Sequence, residues 1–238
     1  MSAPITTPRL RRLAHRPARL RAPGTDGAEG GPPGRQRCDL CSEPLPEPHR
    51  HLLDVRAGAV DCACRACSLL FDRKEAGGAH YRLLPLRRTR LDEDGFDDAL
   101  WASLGVPVGL AFFTRDGEGG EVTAGCPSPL GLLRSTVEAE RWRAVEAADP
   151  AVAAMADDVE ALLVNRTDGA RERWIVPLDD CYRLAAVVRT HWKGLGGGPE
   201  VRRHVGDFFR GLSPGPPHGP HTGPPHTDPT PTDPPSTT

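Results

Sequence analysis

Apolar residues recur along the chain at two spacings, and each spacing marks a type of element. Val106 to Thr114 is a short apolar run bounded by Gly and Asp, which predicts a buried strand. Asp116-Gly117-Glu118-Gly119-Gly120 then turns the chain into a second strand over Glu121 to Cys126. Val159 to Arg166 and Ala170 to Val176 form another strand pair, joined by a turn at Thr167-Asp168-Gly169. His80 to Leu91 reads as a further strand. Helical spacing links Phe96, Leu100, Trp101 and Leu104 behind a cap at Asp94. Ser135-x-x-Glu138 has the form of a capping box and predicts a helix through Trp142 and Val145 to Ala148, with Pro150 opening a short helical piece after it. Two final helices follow: Leu184, Val187, Val188, His191 and Trp192 form one face of the first, and Val201, Val205, Phe208 and Leu212 one face of the second, with the linker Gly194 to Gly198 between them. There is no internal repeat. The expected class is α+β, a mostly antiparallel sheet with helices on one face.

The two ends lack this patterning. Residues 1–37 carry eight arginines against two acids with no apolar periodicity, and residues 213–238 hold ten prolines, six threonines and three histidines. Such segments bury too little to offset the entropy of ordering. The expected organisation is a disordered basic arm over 1–35, a Cys-rich metal-binding subdomain over 36–76, an α+β domain over 77–212, and a disordered Pro/Thr/His tail over 213–238.

Charge adds little to this picture. The formal net charge is −2 and Lys74 and Lys193 are the only lysines, so no general basic excess argues for nucleic acid. No stretch has the length of a membrane span. Arg11-Arg12 is not followed by the apolar core of an export signal. With its cysteines local rather than spread along the chain, the protein is expected in the cytoplasm, without a disulfide framework.

The cysteines are the one strongly specific signal. Five cysteines and two histidines fall in the order Cys38-x-x-Cys41, His49, His51, Cys62-x-Cys64-x-x-Cys67. Two CxxC pairs bracketing a loop bring four thiolates to one tetrahedral ion, so Cys38, Cys41, Cys64 and Cys67 are the expected metal ligands. The layout resembles zinc-ribbon and treble-clef knuckles. Zinc is the expected ion, with iron in a rubredoxin-like site as the alternative. Cys62 is surplus: an alternative ligand, a reactive thiol, or a neighbour of the metal, since a CxC step aims both side chains to one face of a strand. His49 and His51 are reserve ligands or polar residues on the strand entering Leu52-Leu53.

Other candidates have ordinary explanations. The acidic stretch Asp92 to Asp98 lacks the ligand ladder of a calcium loop and reads as a turn and helix cap. The glycine runs at 117–120 and 194–198 lack a phosphate-binding context. Cys181 is three residues before Leu184 on an apolar face; it reads as a buried structural thiol, with an activated nucleophile using His191 or His204 as the competing reading. Cys126 is a lone thiol at a strand end. GxSxG and HExxH are both absent, so no hydrolase motif is present.

The segments CDLCSEPLPEPHRHLLD, CACRACSLLFD, PVGLAFF, VEALLVNR and VPLDDCYRLAAVVRTHWKG, between residues 36 and 212, resemble an uncharacterised family of high-GC Gram-positive bacteria. Its genes often lie beside those of nickel–iron hydrogenase. The resemblance implies an accessory role in assembling that enzyme, with a hydrogenase subunit as protein partner, and carries no catalytic residue. The expected function is a zinc-containing cytoplasmic accessory or interaction protein. The alternatives are an iron electron carrier and a thiol-dependent enzyme.

Overall fold

In the computed structural model, the structure describes residues 36–72, 80–92, 94–194 and 196–214. The expected basic arm and nearly all of the expected Pro/Thr/His tail lie outside these residues.

The described residues form two antiparallel sheets. The smaller contains β1 (Arg50–Asp54), β2 (Ala59–Ala63) and β3 (Tyr81–Leu83) in the order β2-β1-β3. Between β2 and β3 lies a short helix, α1 (Arg65–Phe71). β3 falls beyond the expected subdomain boundary at residue 76, yet pairs with β1, placing Leu52 opposite Leu83. The expected single strand from His80 to Leu91 is thus two, because the chain leaves the small sheet after β3 and enters the large one as β4 (Thr89–Leu91).

The large sheet has six strands in the order β4-β9-β8-β5-β6-β7, with β5 (Leu110–Arg115), β6 (Val122–Ser128), β7 (Gly131–Val137), β8 (Glu160–Asn165) and β9 (Glu172–Pro177). All of its neighbouring strands are antiparallel. The α+β class is the one expected, but the helices divide between both faces of the sheet. α5 (Leu178–His191) and α6 (Gly198–Gly211) cover one face, against Phe112, Leu163, Trp174 and Val176. The other face packs Ala111, Phe113, Leu162 and Ile175 against Trp142 and Val145 of α3 (Ala139–Ala148), Val152 of α4 (Pro150–Ala153), and Leu100 and Trp101 of α2 (Asp98–Ser103). The reason lies in the central strands. Alternation sends successive side chains to opposite faces, and every residue of β8 is buried. A strand apolar on both faces needs cover on both.

Local corrections follow the same logic. The Ser135–Glu138 capping box does not form: Ser135 pairs with Ala124 inside β7, and α3 begins only after Glu138, whose side chain makes no cap. Asp97, not Asp94, caps α2, accepting from the Leu100 amide at 2.7 Å. Gly125 sits opposite Phe112, where an added Cβ would lie 2.5 Å from the ring.

The small sheet docks on the α5/α6 side of the large one. Leu53, Val60 and Leu84 join the core beneath those helices, whereas Leu52 faces a separate small core with Cys38, Leu45, Ala63 and Cys67. Arginines on the connection between β3 and β4 fasten the junction. Arg87 donates to the buried Glu160 carboxylate at 2.8 and 2.9 Å, and Arg88 to the buried Asp180 at 3.0 Å.

Candidate metal centre

The first cysteine pair lies in a turn closed by its own backbone. The Cys38 amide donates to the Glu43 carbonyl and the Ser42 amide to the Cys38 carbonyl, both at 2.8 Å. Closing so tight a turn puts Ser42 at φ 63°, in the left-handed region. Asp39 locks the turn onto the hairpin. Its amide donates to the Cys62 carbonyl at 2.9 Å, and its carboxylate accepts from the Cys62 amide at 2.7 Å. The second pair opens α1: Cys64 is the N-cap and its sulfur accepts from the Cys67 amide at 3.4 Å. Turn, hairpin and then a helix carrying the second pair is a treble-clef-like order.

These elements bring four sulfurs together. Cys38, Cys41, Cys64 and Cys67 place their Sγ atoms within 4.8 Å of one another, with Cys41 and Cys64 3.7 Å apart. Four thiolates at tetrahedral distance from one zinc ion would be about 3.8 Å apart. All seven cysteines are free thiols, so no disulfide competes for these sulfurs. Cys38 and Cys67 are buried, Cys64 is half-buried and Cys41 is exposed, leaving one corner of the cluster at the surface.

The electrostatics fit a site made for a cation. Burial opposes ionisation of Cys38, but the backbone around Cys64, Cys41 and Leu40 brings its pKa down to about 7. Burial and the three neighbouring sulfurs hold the Cys67 thiol well above its ordinary value. At Cys41 the Glu43 backbone favours the thiolate, yet the sulfurs of Cys38 and Cys64 outweigh it and the pKa rises. Four thiols this close cannot all ionise without a positive charge among them. The cluster can therefore hold a metal ion, with no ligand position left over.

Cys62 lies in a different group. It is directly opposite His51 in the β1–β2 register, and with His49 and His51 it forms a second cluster of donor atoms within 4.8 Å of one another. The CxC step does not aim Cys62 and Cys64 at one ion because β2 ends at Ala63, and Cys64 has already turned into the cap of α1. His51 Nδ1 lies 2.7 Å from the Asp179 carboxylate in the first turn of α5. Burial works against the His51 imidazolium, but Asp179 and Cys62 overcome it and push the pKa up to about 9. At His49, burial and the nearby His51 charge hold the pKa below its ordinary value; the Pro46 carbonyl tempers this without closing a hydrogen bond. Nothing in the pattern around Asp179 pointed to His51, since 128 positions separate the two.

Cys126 and Cys181 are buried, and burial raises both thiols; at Cys181 Asp180 and Asp179 add to the effect. Their sites are those of structural thiols. His191 and His204 stack at 3.6 Å between α5 and α6, where Glu200 pairs with His191 and with Lys193. The acidic stretch ends in the α2 cap and in Asp98, which pairs with Arg166 at 2.6 Å and Arg171 at 3.0 Å.

No curated protein and no solved structure matches the chain. A family model described as a family of unknown function (DUF5947) matches residues 37–215, a span that holds the cysteine cluster, both sheets and α6. The chain thus belongs to this family of unknown function.

Proposed function

We propose that the protein is a zinc-stabilised accessory or interaction protein of the cytoplasm, and that its partner is a subunit of a nickel–iron hydrogenase under assembly. The gathering of four Sγ atoms within 4.8 Å of one another carries the metal reading, and a closed four-thiolate set supports zinc. A saturated four-thiolate site is a structural device, since it offers no open position to water or substrate. The hydrogenase context rests on the sequence resemblance. Surface features support a role in binding protein. Leu69 and Leu70 stand exposed on α1 beside the cysteines, and β7, the outermost strand, exposes Leu133 next to the nearly bare Leu130. Exposed apolar residues on an edge strand favour contact with another chain. Among the described residues no helix is long and apolar enough to cross a membrane.

Native mass spectrometry of protein from its own host tests the metal. The expected result is about one zinc per chain, lost in a Cys38→Ser, Cys41→Ser double variant. Iron in its place, or no metal, overturns the zinc reading. Capture with tagged full-length chain, probed for hydrogenase subunits, tests the partner.

A further inference from the structure

Three donors on the inner face of the β1–β2 hairpin remain outside the four-cysteine cluster. We propose that His49, His51 and Cys62 form a second metal site, for a divalent ion of the zinc and cobalt class, with Asp179 as a positioning residue. The inference does not depend on which ion the four cysteines hold.

The backbone assembles this site. Side chains two apart share one face of an extended strand, so His51 and Leu53 face the same way, and His49, just before β1, joins His51 on that side. Register places Cys62 across from His51 and Val60 across from Leu53. Leu53 and Val60 lie in the core beneath α5 and α6, while Cys62 packs at the border with the small core, so the donors sit where the two cores meet. The two imidazole rings approach to 4.8 Å between centroids.

Two observations separate the cluster from an ordinary buried polar group. The first is His49, whose Nδ1 and Nε2 are both buried without a hydrogen-bond partner. A buried polar atom left unpaired is destabilising, and a metal ion offsets that cost at the nitrogen it binds. The second is Asp179. Holding Nδ1 of His51 at 2.7 Å, it leaves Nε2 as the nitrogen for an ion. A carboxylate behind a histidine is the usual outer support of a metal-bound imidazole, fixing its tautomer and orientation. A thiol nucleophile built from Cys62, His51 and Asp179 would leave His49 without a role.

The donor set names the ion class. Two imidazoles and one thiolate are borderline-soft and suit late first-row ions such as zinc, cobalt and copper rather than calcium or magnesium. Three protein ligands also leave a fourth position open to water or a small molecule, which the four-cysteine cluster cannot offer.

Cobalt titration of the full-length, zinc-containing protein tests this. The expected result is uptake of Co²⁺ with a thiolate-to-cobalt charge-transfer band, a signal that histidines of the C-terminal segment alone cannot produce. The band should disappear in His49→Ala and in Cys62→Ser, while Asp179→Asn should weaken uptake about 10–100-fold. Native mass spectrometry of each variant reports whether the four-cysteine ion is retained, and so whether the hairpin is intact. Should Cys62→Ser lose that ion, His49→Ala decides, because neither ring nitrogen of His49 has a hydrogen-bond partner to lose. Absence of the band from the unaltered chain, or its persistence in His49→Ala, overturns the proposal. Unchanged affinity in Asp179→Asn removes Asp179 from the site. Loss of the four-cysteine reading would show instead in the Cys38→Ser, Cys41→Ser variant.

Discussion

The two sheets of this protein differ in what they bury. The six-stranded sheet has apolar cores on both faces, and strands such as β8 that are buried along their whole length. Among the described residues the three-stranded sheet has a separate core of six buried residues, and three of them are cysteines. Apolar burial contributes about 25 cal/mol per Å², so a core of this size cannot hold a fold by itself. The contrast teaches what each region can draw on: two-sided apolar packing in one, and in the other a few apolar residues, the junction with the large core, and a cysteine cluster that can hold a metal ion.

The largest expected effect would separate the two regions outright. Structural zinc contributes on the order of 10 kcal/mol to small folds that depend on it. Chelation, or Cys64→Ser, should therefore abolish hydrogen-exchange protection across β1 and β2 while β5 and β8 stay protected. If all four strands lose protection together, the regions are one cooperative unit and the comparison breaks. The converse experiment comes next. Phe113, fully buried between the sheet and Trp142, should cost about 3–5 kcal/mol as Phe113→Ala, read by urea unfolding, with metal content unchanged.

A third change targets the junction. Asp180 is buried and pairs with Arg88 and Arg183. Asp180→Ala leaves those arginines unpaired, and breaking such a pair costs about 3 kcal/mol, less here because both arginines are partly exposed. Faster exchange in β3 and β4, ahead of β8, would locate the loss at the connection rather than in the sheet. The smallest effect belongs to Ser42. Glycine removes a left-handed strain of about 1 kcal/mol but adds a similar entropy to the unfolded chain, so Ser42→Gly should shift the midpoint by less than about 0.5 kcal/mol. A larger gain would show that turn strain limits the small region.

The same contrast governs what could be read from the sequence. Paired CxxC spacing is local, so the four cysteines were recognisable as a group before any fold was known. Apolar runs such as Ala161 to Val164 likewise announced buried strands, and their lack of alternation already carried the two-sided cover that the expectation of helices on one face missed. What stayed hidden depended on register or on distance along the chain. β7 has four exposed residues in succession and a misleading Ser135-x-x-Glu138, so its strand character comes from pairing with β6. The grouping of Cys62 with His51 follows from which residue faces which across β1 and β2, and Asp179 reaches that pair from the start of a remote helix.

β1 gives the arrangement an evolutionary consequence. Leu52 faces the small sulfur-rich core, its neighbour Leu53 the large apolar one, and β3 returns from beyond α1 to pair with the same strand. A recombination event between α1 and β3 would carry off the cysteines but strip β1 of one partner strand and the large core of Leu53 and Val60. A domain joined in this way cannot be shuffled as a cassette, so the cysteine-bearing region and the larger sheet have to be inherited, and to diverge, together.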